Sequence, residues 1–162
     1  HFVRRRQRQM CIRDREGGPH IGSWDLGERY ATSIINDLNR WTVGWIDWNL
    51  ILNEQGGPNH VGNYCSAPII VDTRTQNLLY QSSYYYIGHF SRFILPGDKI
   101  INSKNTNNTI DVLSSINGQD IVNTVMQNKN ESCVKVNYNR DNVNFVFTIP
   151  KRSIVTIVDD IG

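Results

Sequence analysis

No stretch of this sequence approaches the roughly 20 consecutive apolar residues that a membrane-spanning helix needs, so no such helix is expected. Apolar residues (39%) and charged residues (20%) stand in the proportions of a soluble, folded chain, which sets intrinsic disorder aside. Cysteine is scarce: Cys11, Cys65 and Cys133 are widely spaced with no His pair beside them, which matches no zinc pattern, and no metal or other cofactor is expected. His60 and His89 have no Ser, Cys or second ligand at a useful spacing and read as a loop residue and a helix-packing residue. No charged start followed by an apolar stretch opens the chain, so no secretory signal is expected in it.

The net excess of positive charge comes from one place. Arg4, Arg5, Arg6, Arg8, Arg13 and Arg15 precede the first turn at Gly17-Gly18-Pro19, and without residues 1–15 the chain has 11 basic and 14 acidic residues, a formal charge of −3 instead of +2. The run Gln9 to Arg15 resembles the in-frame translation of a sequencing adapter, so residues 1–15 are expected to be a non-native tail. A basic nucleic-acid or membrane arm and a solvated terminus are the competing readings. With the tail set aside, no nucleic-acid partner is expected. Cys65 and Cys133 are then either two buried thiols or one disulfide. Asn107-Asn108-Thr109 and Asn130-Glu131-Ser132 are glycosylation sequons, which matter only in a secreted or lysosomal protein.

Tyr30, Ile34 and Leu38 fall four apart with Ala31 and Ile35 beside them, which predicts an amphipathic helix within Trp24 to Trp41. It should begin near Asp25 or Glu28, where acidic residues suit the positive end of the helix dipole. Thr42 to Leu50 is a compact run rich in β-branched and aromatic residues and predicts a buried strand. Asn53 to Tyr64, dense in Gly, Asn and Pro, predicts a long loop; a short extended segment at Pro68–Asp72 and a helix within Leu78–Phe93 follow. Beyond Pro96-Gly97-Asp98 the pattern becomes strands at Lys99–Asn102, Ile110–Ser114, Ile121–Met126, Cys133–Tyr138, Val143–Thr148 and Ser153–Val158, separated by turn residues such as Asn117-Gly118. A domain boundary near Pro96 follows.

Four blocks carry a specific resemblance: Gly22-Ser23-Trp24-Asp25, Gly44-Trp45-Ile46-Asp47-Trp48-Asn49-Leu50, Asn53-Glu54-Gln55-Gly56-Gly57-Pro58-Asn59 and Gly88-His89-Phe90-Ser91-Arg92-Phe93-Ile94. In order and spacing they resemble the C-terminal end of the glucosylceramidases of glycoside hydrolase family 30. The resemblance implies an α+β chain: the last helix-strand-helix part of a (β/α)8 barrel over residues 16–96, then an antiparallel Ig-like β-sandwich over residues 97–162. A complete barrel needs roughly 250 residues, more than the 162 here.

The resemblance also implies an activity, hydrolysis of glucosylceramide to glucose and ceramide with retention, at a lysosomal or secreted location. It implies a peripheral contact with membrane surfaces and help from a saposin-type activator protein. Retaining hydrolysis uses two glutamates about 5 Å apart. The family's acid/base lies on an earlier strand, and counting back to its nucleophile reaches Arg8-Gln9-Met10-Cys11, which contains no Glu. Glu16 sits in a Glu-Gly-Gly turn and is a poor substitute for a residue on a rigid strand end. The chain alone is therefore expected to be inactive.

Four residues are expected to bind substrate: Asp47, Trp48, Asn63 and Tyr64. Trp48 would cover the apolar face of a glucose ring, and Trp45, three residues earlier on an extended chain, should point the other way into packing. Asp47 either faces the site or holds its segment by accepting backbone hydrogen bonds. Asn63 and Tyr64 would rim the pocket, with an Asx turn as the alternative for Asn63. A separate reading of the whole chain makes the strand-rich part a carbohydrate- or protein-binding module without an enzymatic role.

Overall fold

The computed structural model describes residues 20–58, 62, 64–106 and 108–160. The chain forms two compact units, His1–Gly88 and His89–Gly162.

In the first unit the helical stripe forms α1 (Trp24–Leu38), with Leu26, Tyr30, Ala31, Ile34 and Ile35 buried along one face. Asp25 lies in its first turn, and the helix runs out at Asn39, whose N–H reaches the Ile35 carbonyl. Ser23 occupies the N-cap position without a side-chain cap bond. The partner comes from far along the chain: Ser82 Oγ accepts from Gly27 N at 3.1 Å and donates to the Ser23 carbonyl at 2.6 Å, while Gln81 Oε1 accepts from Gly22 N at 2.9 Å. Ser82 begins α2 (Ser82–Ser91). A Cβ on Gly27 would stand 2.6 Å from Tyr86 Cδ2, so only glycine permits this approach of α1 to the buried Tyr86.

Between the helices lies a small sheet in the order β1 (Ile51–Asn53), β2 (Ile69–Asp72), β3 (Asn77–Tyr80). β1 and β2 are parallel, and β2 and β3 are antiparallel. Leu52, Cys65, Ala67 and Ile70 form its buried cluster, with Leu79 packed against them.

Two expectations are corrected here. The strand expected at Thr42–Leu50 is not one; the first strand begins at Ile51. A strand exists only where a neighbour completes its ladder; among the described residues none pairs with 42–49, and the Leu50 carbonyl accepts from Ile69 N only where β1 is about to begin. The helix expected within Leu78–Phe93 is present as α2, and the residues just before it, 77–80, pair with β2 as a strand. The cysteine expectation fails in both forms: Cys65 is buried and disulfide-bonded, whereas Cys133 is exposed and free.

The second unit follows the strand pattern closely. A four-stranded antiparallel sheet runs β4 (Lys99–Ile101), β5 (Ile110–Ile116), β6 (Val122–Asn128), β9 (Ser153–Asp159), and a two-stranded sheet pairs β7 (Val134–Arg140) with β8 (Val143–Ile149). The cluster Ile110, Met126, Tyr138 and Ile149 draws on both sheets. β6 is buried on both faces along its whole length. Several polar groups inside are paired: Ser114 Oγ meets Ser103 Oγ at 2.6 Å and Thr124 Oγ1 at 2.9 Å, and Tyr138 and Arg140 converge on the buried Asp159 carboxyl at 3.2 and 3.3 Å. Asn117 Oδ1 accepts from Gln119 N and Ile121 N, the turn chemistry that the Asn-Gly pair announces.

Candidate functional site

Residues 45–50 keep the alternation of a strand without its ladder. Trp45, Asp47 and Asn49 are half-buried, and Ile46, Trp48 and Leu50 are exposed. The inward side is fixed by α1. The Tyr30 ring meets Trp45 edge-on at 5.6 Å, and the Tyr30 hydroxyl donates to Asp47 Oδ1 at 3.1 Å. Trp45 therefore packs, and Trp48 presents its indole outward, 54% exposed.

Asp47 sits on the inward side with Trp45. Burial raises its pKa above the ordinary 3.8, and hydrogen bonds from the Trp48 backbone and from Tyr30 pull partly the other way. Its Oδ2 is buried with no hydrogen-bond partner among the described residues. Tyr64 is 53% exposed. Among the described residues, it makes no hydrogen bond or ring contact with Asp47 or Trp48. Asn63 and His60 lie outside the described residues.

The Asn53-Glu54-Gln55-Gly56-Gly57 block is a built turn. Asn53 Oδ1 accepts from Gln55 N and Gly57 N at 3.0 and 2.9 Å, and Gly56 N reaches the Asn53 carbonyl. Gly56 has a φ of +83°, and a Cβ there would stand 2.5 Å from the Cys65 carbonyl oxygen. Glu54 accepts from Thr73 N at 3.0 Å and Thr73 Oγ1 at 2.7 Å, and these bonds hold its pKa below the usual glutamate value. Asp72 is likewise lowered, chiefly by the Arg74 backbone N–H. Neither carboxylate is poised to give a proton, since both are stabilised in the charged form.

An exposed indole on a braced segment can stack on the apolar face of a sugar ring. It cannot carry out a double displacement, which takes two carboxyl groups about 5 Å apart, one of them able to act as an acid. His89 lies outside this site, on α2 in the second unit, where Nδ1 stands 2.8 Å from Thr156 Oγ1 and burial lowers its pKa. Sequence reasoning missed Tyr30 as a site residue, because a tyrosine at helical spacing reads as core; nothing local announces its hydroxyl's partner 17 residues away.

Comparison with known proteins bears directly on this segment. The glycosyl hydrolase family 30 TIM-barrel domain matches residues 10–94. The chain is similar to the lysosomal acid glucosylceramidase of Mus musculus, 37% identical over 154 residues, covering 91% of this chain and 30% of that protein. It is also similar to the putative glucosylceramidase 4 of Caenorhabditis elegans, 35% identical over 147 residues, covering 87% and 28%. Among solved structures, SrfJ from Salmonella typhimurium superimposes with a TM-score of 0.82 at 28% identity, covering 88% of this chain and 33% of that one. The chain thus spans less than a third of the length of these two curated relatives.

Proposed function

Since the chain belongs to glycosyl hydrolase family 30, we propose that it is the C-terminal piece of a retaining β-glucosidase that hydrolyses glucosylceramide to glucose and ceramide. Trp48 supplies one wall of the sugar pocket, and Asn63 and Tyr64 rim it. Residues 16–96 are the end of the catalytic barrel and residues 97–162 an Ig-like β-sandwich, a reading supported by the apolar cluster that the two antiparallel sheets share. The parent enzyme works in the lysosome, where a saposin-type activator helps it reach glycolipid at a membrane surface; the mouse relative's lysosomal name favours this location.

The observation that carries this reading is the outward Trp48 indole on a segment braced from behind by Tyr30. The chain contributes pocket wall and no catalytic carboxyl, so it is inactive alone. The test compares the 162-residue chain with the complete enzyme on a fluorogenic β-glucoside and on glucosylceramide. The complete enzyme should release glucose first as the β-anomer, read by NMR, and the chain alone should show no turnover. Turnover by the chain that disappears in Glu16→Gln would instead make Glu16 the nucleophile.

A further inference from the structure

Asp47 is an expensive residue where it stands. Its carboxyl is largely buried, one oxygen is committed to the Tyr30 hydroxyl and the other, Oδ2, has no donor among the described residues. A buried acceptor without a donor is destabilising, and folded proteins contain few. Burial alternates along the segment, with Asp47 half-buried on the side of Trp45 and the Trp48 indole exposed. What Asp47 does in return is local: its carboxyl takes the Tyr30 hydroxyl of α1 one residue before Trp48 and two residues from where the Tyr30 ring meets Trp45.

We propose that Asp47, held by Tyr30, is a positioning residue that fixes the outward indole of Trp48 for sugar binding and is retained at a cost in stability. This rests on the reading of Trp48 as a wall of the glucoside pocket. A residue kept only for structure lowers the melting temperature when replaced; a positioning residue kept at a cost leaves it unchanged or raises it while substrate binding weakens.

The experiment uses the complete enzyme with a soluble β-glucoside and the variants Asp47→Asn, Tyr30→Phe, Trp48→Ala and Asp47→Asn with Trp48→Ala. We expect KM to rise roughly ten-fold in Asp47→Asn, the size of one hydrogen bond to a charged group, with kcat within about two-fold and Tm equal to or above the parent value. Tyr30→Phe keeps the ring contact with Trp45 and should raise KM in the same way. In the Trp48→Ala background, Asp47→Asn should change KM by less than about two-fold, because its effect passes through the indole. A lower Tm or failure to fold in Asp47→Asn, an unchanged KM, or an equal rise in KM without Trp48 would each overturn the inference. Failure of the underlying reading looks different: the complete enzyme would not turn over the β-glucoside, or Trp48→Ala would leave KM unchanged.

Discussion

Residues 42–50 and strand β6 have similar apolar content and opposite fates. β6 has a partner on each side, β5 and β9, and is buried at every position. Residues 45–50 alternate in burial instead, with no strand formed there and Ile46, Trp48 and Leu50 exposed. Sequence pattern sets which way side chains point, and neighbours decide whether an extended segment becomes a strand. The contrast also separates two uses of apolar residues: in β6 they hold the fold, and on residues 45–50 one side is held by α1 while the other is left to present an indole.

The contrast can be broken most sharply by truncation. Leu113→Ala, on β5 and fully buried, should destabilise the chain by about 3 kcal/mol in urea unfolding, whereas Ile46→Ala should cost less than about 0.5 kcal/mol. Equal losses would mean that residues 42–50 are buried in solution. Gly56→Ala comes next, because a positive φ and the nearby Cys65 carbonyl both oppose a side chain; a loss of roughly 2 kcal/mol is expected from the same unfolding curves.

Trp45→Ala and Trp48→Ala in the complete enzyme sharpen the comparison within one segment. Differential scanning fluorimetry should show a clear drop in Tm for the first, and kinetics a fall in kcat/KM with little change in Tm for the second. The reverse assignment would mean that the alternation has been read on the wrong side.

The smallest effects are expected from pH, and the two units should answer with opposite signs. His89 has a lowered pKa, so its neutral form is favoured in the fold; its contribution is full above 6.5 and is lost as pH falls through the depressed value. Asp47 has a raised pKa; its contribution is present below 3.8 and is lost as pH rises through the raised value. His89→Gln should therefore flatten the loss of stability on mild acidification. Asp47→Asn should gain on the parent protein at neutral pH and lose that gain toward pH 3. Denaturant midpoints across this range decide both.

How much of this was legible depended on distance along the chain. All six strands of the second unit could be read, because each is a short apolar alternation closed by local turn chemistry such as Asn117-Gly118. Residues 77–80 could not, because Leu79 is drawn into a strand by Ile70 and packs on a cluster assembled from residues 52–70. The indole and carboxyl at 47 and 48 stood out as a block, whereas the bond from Tyr30 that gives the carboxyl its orientation is a tertiary fact. The Glu54 clasp on Thr73, 19 residues away, was equally hidden.

The N-terminus of α1 carries a further consequence, for the order of events as the chain leaves the ribosome. Its open backbone groups are met by Gln81 and Ser82, at separations of 55 to 59 residues. Translation runs from N- to C-terminus, so α1 emerges complete in sequence while its clasp has not yet been made, and until then the helix has only its own turns to hold it. A helix of 15 residues is marginal by itself in water. The helix is thus locked late, and a pause or truncation anywhere between Leu38 and Gln81 leaves it frayed at its leading end.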